Sequence, residues 1–233
     1  TYIPETPGWN EIVHGMTQVP FVSLALGPCA GMGAGRVAAS HFSVMVKELS
    51  QIFVAGPPVA IALGEDVTKE ELGGWKIQGQ NGAVDNVVDS EADAFEAARR
   101  FLSYMPPSVH DLPERTPPSD DPQRKEEFLL SIVPTDGKTP YKPRKIIEAT
   151  VDRHSFFEIG HDWGRGMVCG LARIDGHAVG ILAGDPFFLD GAWTADVCDK
   201  VTRHMDLCSM FHLPVIHLVD CPGFAVGVKA ETA

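Results

Sequence analysis

No stretch of this chain approaches the roughly eighteen consecutive apolar residues that a membrane-crossing helix requires, and no excess of Lys and Arg is present to hold a polyanion. Its 233 residues carry 19 Lys and Arg against 31 Asp and Glu, a formal charge of −12 at pH 7. That balance argues against nucleic acid or a membrane surface as a partner, because both kinds of binding depend on neutralising phosphate. Any phosphate-bearing ligand must then be held by local groups. There is no Cys-x-x-Cys, no His-x-x-x-His and no His/Glu pair at ligand spacing, so no metal site is read from the chain. Nor does a Ser/His/Asp arrangement stand out. The Gly-rich segment 27–35 is neither a dinucleotide fingerprint, since Arg36 stands where the third Gly would fall, nor a phosphate loop, since no Lys-Ser/Thr follows.

What is present describes an ordinary globular protein, 44% hydrophobic and 21% charged. The five cysteines are odd in number and scattered through apolar runs. They read as reduced, buried thiols of an intracellular protein, cytoplasmic or in an organelle matrix. The chain opens at Thr1 without Met and ends after 228–233, which offers neither helix nor strand, so a piece of a longer protein is expected. Six prolines at 106, 107, 113, 117, 118 and 122, set among charges, mark 106–122 as a linker. Before it, Ser90 and Asp93 open a helix over 90–104 that turns Phe95, Ala98, Leu102 and Met105 to one face, with Arg99 and Arg100 near its end. Thr68 and Glu71 form a capping box for a short helix stopped by Gly73-Gly74. After the linker, 123–132 reads as helix, and strands 167–174 and 177–183 are joined by Asp175-Gly176, a tight-hairpin dipeptide. Thr194 caps a helix over 195–211 with Val197, Val201, Met205 and Cys208 inward. Strands alternating with such helices predict an α/β architecture of repeated strand–strand–helix units.

Two segments, 19–31 and 213–223, echo each other: a proline, a short apolar strand, then a turn of Cys, Pro and Gly. An apolar strand without strict alternation is expected to be buried on both faces. A small-residue turn at its end leaves backbone N–H groups free to face an anion. In the first turn the amides of Gly31 and Met32, at the start of a helix, make a nest suited to a developing oxyanion. The second turn is built on Asp220, Cys221, Pro222, Gly223 and Phe224. His204, His212 and His217 read as structural or surface residues, Cys29 and Cys221 as packing residues without an identifiable base, and Trp75, Trp163 and Trp193 as core or interface anchors.

The chain resembles the carboxyltransferase (β) subunits of biotin-dependent acyl-CoA carboxylases, especially the propionyl-CoA carboxylase type. The motifs are Gly27-Pro28-Cys29-Ala30-Gly31, Phe42-Ser43-Val44-Met45-Val46-Lys47 with Phe53-Val54-Ala55-Gly56-Pro57, and Val67-Thr68-Lys69-Glu70-Glu71-Leu72-Gly73-Gly74. They continue in Phe156-Phe157-Glu158-Ile159, Gly170-Leu171-Ala172-Arg173-Ile174-Asp175-Gly176 and Val219-Asp220-Cys221-Pro222-Gly223-Phe224. The resemblance implies a crotonase-like (ClpP/crotonase) ββα superhelix with parts of two related domains: residues 1–105 the latter part of the first, 106–122 the linker, 123–233 the earlier part of the second. It implies transfer of a carboxyl group from carboxybiotin to the α carbon of a short acyl-CoA. The thioester oxygen would be held by the amides of Gly31 and Met32, with Ala30, Gly33, Ala34, Gly223 and Phe224 around the substrate. The family reads Cys-Ala-Gly-Gly-Ala where Met32 stands here at the second Gly. The implied cofactor is biotin on a carrier protein, and the implied partners are a biotin carboxylase or carrier subunit, acyl-CoA and further copies of the chain. The family's active site forms between the first domain of one subunit and the second domain of another, and its second oxyanion turn would fall past residue 233, so this piece alone is expected to be inactive. Gly31→Pro is expected to abolish transfer and spare the fold. Rival readings are an acyl-CoA decarboxylase, a crotonase-type hydratase with a Glu over the α and β carbons, and a non-catalytic assembly subunit.

Overall fold

A computed structural model describes residues 8–118, 120, 121 and 123–232. Positions 119 and 122 of the proline-rich linker therefore lie outside the described residues, as do 1–7 and 233 of the expected domain parts. The first part runs α1 (Trp9–Met16), β1 (Val22–Ala25), β2 (Pro28–Ala30), α2 (Met32–Ala39), β3 (Phe42–Val46), β4 (Gln51–Phe53), α3 (Pro57–Ala62), α4 (Lys69–Gly73), α5 (Trp75–Gln78), β5 (Asn86–Val88) and α6 (Glu91–Leu102). Beyond the linker come a 3-10 turn (Glu127–Leu130), α7 (Pro143–Thr150), β6 (Phe157–Ile159), β7 (Met167–Ile174), β8 (His177–Gly184), a second 3-10 turn (Leu189–Gly191), α8 (Ala195–Met210), β9 (Val215–Leu218) and α9 (Val228–Glu231). The last is a one-turn helix where the sequence had suggested none.

The described residues form three sheets. β1, β3 and β5 form a parallel sheet in that spatial order, and β2 pairs in parallel with β4. In the first part β1–β2–α2 and β3–β4–α3 each send two strands into different sheets before a helix, as the expected ββα repeat requires, whereas β5 leads into α6 without a second strand. The other sheet, β6-β7-β8-β9, is antiparallel except at β8/β9. The Asp175-Gly176 hairpin forms as expected: both residues have positive φ (51° and 77°), the conformation a two-residue turn needs to match strand twist. Asp152 accepts from both of their amides at 2.9 and 2.8 Å.

The capping residues act where their side chains predict. Thr68 and Glu71 close a reciprocal box, Ser90 accepts from the Asp93 amide, and Thr194 accepts from the Val197 amide. The faces of the helices are less obedient. In α6 the buried residues are Ala94 and Phe101, whereas Phe95 and Leu102 are exposed. Phe101 stacks on Phe42 at 4.8 Å, and Phe42 meets Phe157 edge-on at 5.5 Å, so packing across the molecule chose a stripe one position round from the expected one. In α8, Val197, Val201 and Cys208 are buried as expected, but Met205 is exposed and Lys200 and His204 are inside. Segment 123–132 is not a helix beyond its 3-10 turn, because Arg124 ties it to the carbonyls of Glu148 and Val151 at the end of α7 and Glu126 is extended.

The echoed strands also differ from expectation. β1 and β9 are both edge strands of their sheets, mostly half-buried, with His217 exposed, while β3 between two neighbours is buried throughout. The aromatic cluster of Phe42, Phe101, Phe157 and Phe211 unites residues from both sides of the linker in one core. Asp85 clamps the same junction: its carboxylate accepts from the Ser43 amide (2.8 Å), Ser43 Oγ (3.0 Å), and Arg203 Nε and Nη2 (both 2.9 Å). The linker itself is anchored, with the Thr116 amide donating to the Gly176 carbonyl at 3.1 Å and Arg115 paired with Asp175.

Candidate active site

The first Gly turn is built by three adjoining pieces. β2 runs alongside β4, Gly31 reverses the chain at φ 56° and ψ −123°, and α2 begins at Met32. A positive φ at Gly31 costs little because no Cβ is present. Its amide is not free: it is shared between the carbonyls of Phe53 (3.2 Å) and Val54 (3.0 Å). This corrects the expectation for Gly31, whose N–H holds the turn onto β4 rather than facing a ligand. The amides of Met32, Gly33 and Ala34 form the first turn of α2, where no intrahelical acceptor exists, and none of the three has a protein partner among the described residues. The intrahelical ladder begins with the Gly35 amide donating to the Gly31 carbonyl at 3.0 Å. The free donors are therefore one position further along than expected, on Met32 and Gly33, with Ala34 behind them.

Met32 at a place where the family has Gly is accommodated simply. The left-handed residue is Gly31; Met32 is already helical and its side chain is about half exposed. Ala34 points its methyl into the cluster of Ala25, Val37, Met45, Ile52 and Val84, so only its backbone remains for a ligand. Ala30 pairs with Phe53, and Gly33 has open space where a Cβ would stand. Cys29 is half-buried, which pushes its thiol pKa upward and leaves it the protonated, unreactive form. Of the five free cysteines only Cys169 and Cys208 are buried, fewer than expected, and both thiols are driven up to about 12 by burial.

The second turn is held from two sides. Trp193 donates its amide to the Gly223 carbonyl (3.0 Å), accepts from the Ala225 amide (2.9 Å), and meets the Phe224 ring edge-on at 6.0 Å. Tyr141 Oη donates to Asp220 at 2.5 Å, and burial followed by that carboxylate raises the phenol pKa. The Gly223 amide is taken by Cys221 Sγ at 3.2 Å, and Phe224 is largely exposed. No recorded hydrogen bond or ring contact joins this turn to residues 27–35 among the described residues. Sequence reading missed the polar frame beneath it: Arg144 grips Glu158 with two nitrogens (2.8 and 2.5 Å) and reaches Asp185 at 2.6 Å. Only the Phe-Phe-Glu motif, which contains Glu158, hinted at it. A cleft of ≈ 480 Å³ is lined by Arg165, Phe188, Thr194 and Val197 among others and not by residues 27–35. The first turn lies instead on an open surface, its residues 30–33 all exposed.

With this geometry in view, comparison with known proteins is informative. The Carboxyl transferase domain family matches residues 10–233. The chain belongs to that family. It is 35% identical over 96% of its length to a propionyl-CoA carboxylase carboxyltransferase subunit of Haloferax mediterranei, covering 45% of that protein. It is 33% identical over 91% of its length to a methylmalonyl-CoA decarboxylase subunit alpha of Veillonella parvula, covering 42% of it. Among solved structures, a transcarboxylase 12S hexamer with hydrolysed methylmalonyl-coenzyme A bound superposes with a TM-score of 0.87 at 32% identity over 92% of this chain and 43% of the other. The crotonase-like α/β fold is shared with it. The chain thus spans less than half the length of these relatives. No described helix is long and apolar enough to cross a membrane.

Proposed function

We propose that this chain is part of a biotin-dependent carboxyltransferase that places a carboxyl group on the α carbon of a short, propionyl-CoA-like thioester. The observation that carries the reading is the pair of unpaired amides at Met32 and Gly33, displayed at a helix N-terminus by a glycine whose own amide is locked to β4. As the α-proton leaves an acyl thioester, negative charge gathers on the thioester oxygen. Two fixed backbone donors and the positive end of the α2 dipole lower the energy of that enolate without any reorganisation. A chain of net charge −12 needs such a local device to receive an anion. Ala30 and Ala34 would flank the thioester through backbone, and Gly223 and Phe224 belong to the second turn, further from the charge.

Biotin does not find a comparable cradle in the described residues. The second turn spends its Gly223 amide on Cys221 and its Gly223 carbonyl on Trp193, so no step is assigned here to that group. In the proposed whole protein biotin is brought to the site on a separate carrier domain or subunit, and the donors that meet it belong to the second oxyanion turn expected past residue 233. Residues 1–105 and 123–233 are then parts of two related domains, and the exposed first turn is completed by another copy of the protein, in the cytosol or an organelle matrix. A decarboxylase is the second reading, favoured by the similarity to the Veillonella subunit. Such an enzyme would form the same enolate in the opposite direction at the same amides.

The test is an assay of the full-length protein with its biotinylated carrier against a panel of acyl-CoA thioesters, with product carboxylation as readout. Carboxylation of a short acyl-CoA is expected. Carbon dioxide release from malonyl or methylmalonyl thioesters without net carboxylation would favour the decarboxylase, and failure to bind any acyl-CoA in isothermal titration would leave a scaffold.

A further inference from the structure

From Ala30 to Ala34 the first turn carries a single side chain larger than a methyl, that of Met32. Gly31 and Gly33 flank it, and a Cβ built on Gly33 meets nothing within 4 Å. Ala34 turns inward to Ala25, Val37, Met45, Ile52 and Val84. Met32 joins none of the buried clusters of the described residues and is 47% exposed. Its length therefore does little for the fold, and it stands beside the two unpaired amides of the turn, its own and that of Gly33.

Helix geometry directs that side chain. Met32 is the first residue of α2. The Cα–Cβ bond of a helical residue tilts toward the helix N-terminus, and a long side chain continues that way at the χ1 angles a helix allows. At the first position no earlier turn of helix lies beneath it, so the side chain runs over the N-terminal end itself. The unsatisfied amides of a helix project from that same end. Donors and thioether therefore share one side of the turn. The surroundings are apolar as well. Residues 27–35 contain no Asp, Glu, Lys, Arg or His, and Val54, whose carbonyl takes the Gly31 amide at 3.0 Å, is 88% exposed. A ligand oxygen held on the two amides brings its neighbouring atoms against thioether and alkyl surface, with no charged side chain of the turn to receive them.

We propose that Met32 limits the length of the acyl chain at this site. An unbranched acyl-CoA whose thioester oxygen rests on the amides of Met32 and Gly33 lays its alkyl chain against the Met32 thioether, and chains longer than a few carbons collide with it. The proposal rests on the carboxyltransferase reading above. Side chain and donor can be separated, because the amide at position 32 survives any substitution other than proline. Met32→Ala removes the bulk at a half-exposed position and suits a helix, whereas Met32→Leu conserves the volume. The full-length protein and both variants are assayed with the biotinylated carrier on propionyl-CoA and hexanoyl-CoA, and the ratio of the two kcat/KM values is the readout. One methylene in an apolar pocket is worth about 10- to 200-fold, so Met32→Ala should raise the hexanoyl-to-propionyl ratio at least tenfold. Met32→Leu should stay near the parent ratio. A smaller rise, a fall, or an equal rise in Met32→Leu overturns the proposal. So does an equal change in KM for both thioesters, which would place the side chain against the coenzyme A they share. A parent that fails to carboxylate propionyl-CoA sinks the carboxyltransferase reading and this proposal together; a carboxylating parent whose ratio Met32→Ala does not move sinks this proposal alone.

Discussion

Replacing Gly33 by proline removes one hydrogen-bond donor from the first turn and almost nothing else. The Gly33 amide has no partner among the described residues, and a Cβ at that position meets nothing within 4 Å. Proline is tolerated in the first turn of a helix, where the missing N–H had no intrahelical acceptor. The folded state therefore loses no bond, and the unfolded chain loses freedom, worth about 0.4–1 kcal/mol in favour of the variant. Catalysis should respond differently. Loss of one oxyanion donor typically costs about 100- to 1000-fold in kcat, and with Met32 still donating, a drop of about 100-fold is expected, equivalent to about 2.7 kcal/mol of transition-state stabilisation. The assay is steady-state carboxylation by the full-length protein, with a urea melt on the same sample. Near-normal kcat in a stably folded Gly33→Pro protein would show that the enolate is not held here. Gly31→Pro is no longer the informative change: φ 56° is closed to proline and its amide holds the turn to Phe53 and Val54, so that variant should lose the turn itself, contrary to the expectation from sequence.

Asp85→Ala should destabilise the full-length protein by about 3 kcal/mol, the lower end for breaking a buried ion pair because Arg203 keeps some solvent contact; a urea shift under about 1 kcal/mol would mean that the clamp is not a major tie. Gly176→Ala should cost more than about 2 kcal/mol, since it adds left-handed strain and a Cβ 1.9 Å from the Thr116 carbonyl oxygen, and it should expose the linker to protease; an unchanged digestion pattern would refute this. Burial, then the Lys200 charge, lowers the His204 pKa from 6.5 to about 4. Below pH 6.5 the unfolded chain takes up a proton that the folded one refuses, so this contribution is intact above pH 6.5 and is lost as pH falls toward 4. The loss amounts to about 3 kcal/mol at most, and His204→Leu should flatten the stability curve across that window relative to the parent; parallel curves would contradict it.

The amino-acid order determined what local interactions decide. Thr68 with Glu71, Ser90, Thr194 and the Asp175-Gly176 turn act on partners three residues away or fewer, so a linear reading finds them, and the family motifs carried the fold with them. The tertiary structure alone decided which stripe of α6 is buried, because Phe42 and Phe157 stand far away in the chain. It also decided which amides of the first turn are free. Gly31 and Met32 look equivalent as letters, yet β4 approaches one and not the other, and Phe53 and Val54 take the Gly31 hydrogen. The same holds for Asp85 and Arg203, 118 positions apart. Backbone donors are satisfied or left open by whatever strand comes alongside, and no sequence window contains that strand.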